Sequence, residues 1–237
     1  MTNGTRATGE RAVGDERVLG TYVYCVGAAE LPEALGPIGL DAAEVTTVCE
    51  GPLAAVVSAA WLATGAAGPL PTRAHLLAHD FAIAAAARQH TVLPVAFGTV
   101  FRSTADVRAM LRSGRDAIQR VLAEIGARVE VSVQALCTQR NPEAARAAAE
   151  QAYDTLAGLA DAARPLAPIG DRMMLHAAFL VPRARAAAFL DAARGCGDAD
   201  GAPLALRVSS PRAPFHFARV TLRAVDAVDT ADARAAS

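Results

Sequence analysis

The chain contains no lysine: all 23 basic residues among its 237 are arginine. Every reaction built on a lysine amine is thereby excluded, from Schiff bases and cofactor aldimines to the phosphate-gripping lysine of a P-loop. Cysteine is sparse, and Cys25, Cys49, Cys137 and Cys196 lie too far apart for a C-x-x-C pair, which removes zinc knuckles and thioredoxin-type motifs. The polar, glycine-containing stretch ahead of Val18 has no apolar signal segment, so reduced thiols in a cytoplasmic setting are expected. Neither sign of charge dominates: 24 acidic residues against 23 basic leave a net charge of -1, and no long-range field draws in nucleic acid or an anionic membrane surface. No uncharged apolar run nears the ~18 residues that a membrane span requires. Aromatics make up 5% of the chain, with one tryptophan, and much of its 53% hydrophobic content is alanine. The cores must therefore come from scattered Leu, Val, Ile, Met and Phe, and much helix is expected.

The order of elements is legible in outline. Residues 1–17 read as a disordered tail, charged and without apolar periodicity. Thr21–Val26 is β-branched and aromatic, hence a strand. Glu44–Cys49 and Leu53–Ser58, parted only by Glu50-Gly51-Pro52, read as a hairpin. Thr72 caps a helix running to about His90, with Leu76, Leu77, Phe81, Ile83 and Ala84 as its expected buried arc. Thr91–Phe97 returns as a strand which Pro94, lacking an N–H, confines to an edge or a bulge. Ser103-Thr-Ala-Asp106 opens one helix that holds its period to Gly126.

Arg128–Cys137 alternates as a strand, with Val129, Val131, Val133 and Ala135 sharing a face. Asn141 and Pro142 start an alanine-rich helix that stops before Pro165. Met173–Val181 is nearly all apolar, hence a central strand, and Pro182 leads into a helix ending at Gly195. Leu204–Val208 and Phe215–Val220 read as the last strands. The count is β-β-β-α-β-α and then β-α-β-α-β-β. It predicts an α+β fold of two small mixed domains, residues 18–126 and 127–222, with a tail over 223–237. The second domain is expected to be a modified ferredoxin-like fold, since the order of its last elements departs from a split βαβ.

Candidate chemistry is thin. His75 and His79 share a helix face at i and i+4, but Leu76 stands where a zincin has glutamate, and ordinary hydrogen bonds are the simpler expectation. Gly195–Gly201 is glycine-rich but lies between a helix and a strand, the wrong order for a phosphate loop, and Asp198 and Asp200 lack the glutamate of a calcium loop. No G-x-S-x-G is present. Cys25, Cys49 and Cys137 read as inert thiols in or beside strands, which leaves Cys196 as the candidate reactive one. Leu93-Pro-Val-Ala-Phe-Gly-Thr-Val-Phe101 packs proline, glycine and two aromatics into one passage, readable as core or as a shaped surface for a partner. No catalytic set, metal site or cofactor is expected, and no partner-binding residue stands out.

Several segments together resemble the GvpL/GvpF family of gas vesicle synthesis proteins. Tyr22-Val-Tyr-Cys-Val26 is similar to that family's opening strand, Gly51–Ser58 to its hairpin strand, and Leu76-Leu-Ala-His79 to its helix with a marked histidine. Leu93–Val100 resembles its Pro-x-x-Phe-Gly-Thr passage, and Leu175–Val181 its Leu-Asn-Ala-Ala-Tyr-Leu-Val strand. Ala96 stands where the family usually has a basic residue, and His176 where it has asparagine. Ser210–Phe217, with Arg212 and Phe215, replaces a closing Gly-Pro-Trp-Pro-Pro-Tyr-x-Phe. The resemblance implies an accessory protein of gas vesicle formation that is no enzyme. It would bind the small hydrophobic shell subunit, the growing shell or other accessory proteins, with neither nucleic acid nor membrane as partner. The alternative expectation is a ferredoxin-like module that binds a small regulatory ligand.

Overall fold

The computed structural model describes residues 17–63, 68–138, 142–197 and 202–218. The expected tails at 1–17 (all but its last residue) and 223–237, the Asn141 cap and the Asp198–Asp200 turn lie outside these.

Two antiparallel sheets organise the chain. The first half holds β1 (Arg17–Ala28), β2 (Ala34–Gly36), β3 (Val45–Glu50), β4 (Leu53–Ala63), α1 (Arg73–Ala87), β5 (Val92–Pro94), β6 (Val100–Phe101), α2 (Thr104–Ser113) and α3 (Arg115–Ile125). Its strands run in the order β2-β3-β4-β1-β5, with β6 also on β1. Over residues 22–27 and 53–58, β1 and β4 are buried on both faces, because α1 covers one side and α2 with α3 the other. Tyr22, Tyr24, Val45 and Val56 pack with Ile83 on the first face, while Val23, Val26 and Val57 pack with Leu111 and Ile118 on the second. β3 and β4 form the expected hairpin around Gly51, which holds a positive φ of 57°. Pro94 pairs with Cys25 on an edge strand, where its missing N–H leaves no ladder bond unmade.

The second half holds β7 (Arg128–Cys137), α4 (Pro142–Ala157), β8 (Ala162–Pro165), β9 (Met173–Pro182), α5 (Ala186–Gly195) and β10 (Leu204–Val208), in the sheet order β10-β7-β9-β8. The continuous apolar run of Met173–Val181 does sit centrally. Val131, Val133 and Ala135 face α4 and α5 as the alternation required.

Three expectations are corrected. The long helix is two, broken at Gly114, where an added Cβ would lie 3.2 Å from the Met110 carbonyl and from Ile118 Cδ1. The element order of the second half is β-α-β-β-α-β. A strand forms at β8, whose four residues are too few to show a period. Phe215–Phe217 is a turn, because the Pro214 carbonyl accepts from the Phe217 and Ala218 amides and the His216 amide is taken by a side chain. The third correction is the face of α1. His79, Ala82, Ile83, Ala86 and Ala87 point into the core, whereas Leu76, Leu77, Phe81 and Ala84 do not.

Candidate partner-binding site

The inward face of α1 is set by one polar side chain. Thr72 caps the helix as expected, its hydroxyl accepting from the His75 amide at 3.2 Å. That register turns His79 under the helix, where Nδ1 lies 2.9 Å from the Tyr22 hydroxyl. The hydroxyl accepts from the Gly98 amide at 3.1 Å, so its own proton goes to Nδ1 and the ring carries its hydrogen on Nε2. Nε2 turns toward the Val95 carbonyl without closing a bond of normal geometry. Beside it Tyr24 accepts from the Leu40 amide at 3.0 Å and donates to Ser58 Oγ at 2.8 Å. Phe97 meets the His79 ring edge-on at 5.5 Å between centroids. The Leu93–Phe101 passage is thus chiefly a core element: Leu93, Val95 and Phe101 are buried, and Gly98, at a φ of 87°, turns its amide onto Tyr22.

Burial drives the electrostatics of this cluster. It pushes the Tyr22 hydroxyl up to about 12, against the Gly98 hydrogen bond, and raises Tyr24 as well. It also holds the His79 imidazole below its ordinary value of 6.5. The unfolded chain therefore takes up a proton near 6.5 that folded His79 refuses, and stability from this group is complete above that pH and falls as pH drops toward the lower folded value. His75 has the opposite sign. Its pKa is raised by the Asp41 carboxylate, 2.9 Å from Nε2, and then by the Leu70 carbonyl. Its contribution is present below the ordinary value and lost as pH rises through the raised one. His79→Gln keeps an acceptor for Tyr22 without the titration. Thermal unfolding at about pH 7.5 and 5.5 is expected to show a smaller acid-side loss in the variant than in the parent; equal losses would contradict the assignment.

The two histidines thus serve separate contacts and converge on no common point, and the described residues hold no cluster of three or more His, Cys, Asp or Glu side chains fit for a metal. Cys25 and Cys137 are buried, and burial raises the Cys25 thiol. Cys49, expected to be covered, is exposed near the end of β3. Burial raises the Cys196 thiol too, which disfavours the thiolate that reactivity needs.

Part of what α1 presents outward, between the exposed Arg73 and Asp80, is apolar. Leu77 and Phe81, four residues apart, are 59% and 53% exposed, with Leu76 beside them and Leu70 exposed just ahead of the helix. A second apolar group ends the β1–β4 ladder, where Leu19 pairs with Trp61 and Val18 with Leu62. β3 reaches only Ser58 of β4 and β6 only Thr21 of β1, so among the described residues these last pairs form a two-stranded ribbon open at both edges. Trp61, the sole tryptophan, is 62% exposed there. Sequence periodicity misplaced the α1 group, because an exposed leucine on a helix has the same spacing as a buried one.

A third assembly joins the halves. Glu130 on β7 is wholly buried, and its Oε1 accepts from Arg212 Nη2 at 3.0 Å and from His216 Nδ1 at 2.8 Å. The segment so held carries Ala213 and Phe215 into the core under α1.

These two antiparallel sheets with helices packed on them define a mixed α+β protein that carries exposed apolar surface. The chain matches the family Gas vesicle synthesis protein GvpL/GvpF over residues 20–151 and 139–219 and belongs to it. It is 26% identical over 136 residues to Gas vesicle protein F1 of Halobacterium salinarum, an alignment covering 57% of this chain and 63% of that relative, so it spans under two-thirds of the relative's length. Among solved structures, gas vesicle protein GvpF of Anabaena sp. is 22% identical with a TM-score of 0.74, over 86% of this chain and 97% of that one. GvpF of Microcystis aeruginosa is 20% identical with a TM-score of 0.71, over 85% and 99%. The fold is theirs, and the role of the chain is gas vesicle-related. No helix among the described residues is long and apolar enough to cross a membrane.

Proposed function

We propose that the protein is a non-enzymatic accessory or structural factor of gas vesicle assembly, working in the cytoplasm at the vesicle, that docks the small hydrophobic shell subunit or the growing shell. It would work alongside other gas vesicle accessory proteins and use binding energy alone. The observation that carries this is the outward stripe Leu76, Leu77 and Phe81 on α1, apolar surface that the fold leaves uncovered. The open-edged ribbon at Leu19 and Trp61 supports the same reading, since an unpaired strand edge accepts a partner's backbone. The chain would act as two domains, 18–126 bearing the docking surface and 127–222 a ferredoxin-like unit. The β-α-β-β-α-β order and the strand order β10-β7-β9-β8 support the latter.

Closing the exposed parts of Leu77 and Phe81 under apolar surface contributes on the order of 1 kcal/mol each. Placing carboxylates there costs desolvation besides. Leu77→Asp with Phe81→Asp is therefore expected to weaken capture of co-expressed shell subunit at least about tenfold, while the melting temperature stays near that of the parent, both side chains being exposed. The reading fails if the parent captures no shell subunit, or if the double variant captures as much. Trp61 supplies an independent check. Its emission should shift to the blue when the subunit binds if the ribbon is covered, and Trp61→Ala should then weaken capture.

A further inference from the structure

The outer face of the second sheet, opposite α4 and α5, carries a polar depression that the docking reading does not use. Across its middle the register places Arg207 of β10 beside Gln134 of β7, and Gln134 beside His176 of β9. Past β10 the chain pairs once more, Arg212 with Glu130. Five residue steps separate Arg207 from Arg212, but four separate their partners Gln134 and Glu130. In a regular strand residues five apart point to opposite faces. The extra residue is a bulge that restores the parity and brings both guanidinium groups to one face. It is fixed by Ser209, whose amide donates to the Ser132 carbonyl and whose hydroxyl accepts from the Ser132 amide, each at 2.9 Å. Ser132, Gln134, His176, Arg207, Ser209 and Arg212 line a depression of about 280 Å3.

The charges there do not cancel. Arg212 spends Nε and Nη2 on Glu130 and Ser132, which leaves Nη1 for another acceptor. Arg207 is exposed and has no ion pair among the described residues. Among the described residues no carboxylate lines the depression, since Glu130 lies buried behind Arg212. His176 gives Nδ1–H to the Ala167 carbonyl at 2.7 Å, which fixes the ring's orientation. Donors thus arrive from Arg207 on β10, Gln134 on β7 and Arg212 beyond β10 around a bowl, an arrangement that a tetrahedral oxyanion satisfies and a planar carboxylate satisfies only in part.

We propose that this depression binds a phosphate group, free or carried by a small organic phosphate, with Arg207 as its principal contact and Arg212 and Gln134 as supporting donors. The bowl is far larger than the ~30 Å3 share of a water molecule, so it has room for a small organic moiety beside the phosphate. The site lies in the half of the chain opposite the exposed α1 stripe and stands whether or not that stripe docks the shell subunit.

Isothermal titration of the full chain with inorganic phosphate and with glycerol phosphate, against acetate and chloride at matched ionic strength, tests this. Saturable binding of both phosphates, at least about tenfold tighter than acetate, is expected, together with a melting temperature that rises with phosphate concentration. Arg207→Gln should weaken phosphate binding about tenfold or more without moving the ligand-free melting temperature. Tighter binding of glycerol phosphate than of inorganic phosphate would place the organic moiety in the bowl, and equal binding would assign recognition to the phosphate alone. Equal effects of all four anions, an Arg207→Gln protein that binds phosphate like the parent, or no saturable binding would overturn the proposal.

Discussion

Glu130→Ala is expected to destabilise the protein by about 3 kcal/mol, near the lower end of what breaking a buried ion pair costs. The carboxylate is wholly buried and makes four contacts: Oε1 accepts from Arg212 Nε at 3.2 Å and Nη2 at 3.0 Å and from His216 Nδ1 at 2.8 Å, and Oε2 from the His216 amide at 2.7 Å. Without it the His216 amide loses its acceptor and the guanidinium keeps only Ser132 Oγ. The cost stays near the lower end because the Arg212 side chain is still 39% exposed and finds water. Glutamine is a poor rescue, since its NH2 must face another donor. Replacing both charges at once, by Glu130→Leu with Arg212→Met, should recover much of the loss. At about 2–4 °C per kcal/mol for a chain of this size, Glu130→Ala should melt on the order of 10 °C lower. A shift of only a degree or two would mean that the carboxylate is dispensable. Because the clipped segment carries Ala213 and Phe215 into the first core, tryptic cleavage after Arg212 should also speed up.

That clip marks the limit of what the sequence discloses. Where the signal is local it reads well. β1, the β3–β4 hairpin, the Thr72 and Ser103 caps, the edge placement of Pro94 and the centrality of Met173–Val181 each follow from a few neighbouring residues. Glu130, in Val-Glu-Val-Ser, reads as the solvent side of an alternating strand, and it is buried only because residues 82 and 86 positions away fold over it. The α1 face is a second such case. Hydrophobic spacing admits two arcs, one through Leu77 and Phe81 and one through His79, Ala82 and Ile83, and the choice falls to the Tyr22 hydroxyl on a strand 57 residues earlier. The family resemblance rests on the same kind of local run and says nothing of which surface faces outward. The bulge that aligns Arg207 with Arg212 appears only once the partner strand is known.

Phe179→Ala is expected to cost about 4 kcal/mol, more than Glu130→Ala. The core under α4 and α5 is built largely from alanine, with Ala135, Ala145, Ala149, Ala152, Ala177 and Ala193 all buried. Small side chains cannot swing into a void, so little of the cavity would close. Phe179, on the central strand β9, is what fills that space, its ring 5.8 Å from Tyr153 of α4 and 5.4 Å from Phe189 of α5 between centroids. Truncation releases both helices from the sheet at once. Phe179→Leu, which keeps most of the volume, should cost under about 1.5 kcal/mol, and urea unfolding of the three proteins would rank them. The position of the damage also tests how far the halves stand apart. Trp61 lies at the far end of the first sheet. If the halves fold as separate domains, Phe179→Ala should lower the midpoint seen by far-ultraviolet circular dichroism and leave the tryptophan-fluorescence midpoint in place. Phosphate binding at Arg207 should be lost with the second sheet while the α1 stripe remains intact. One shared midpoint, lowered equally by both probes, would instead show the two sheets to be a single cooperative unit coupled through the Glu130 clip.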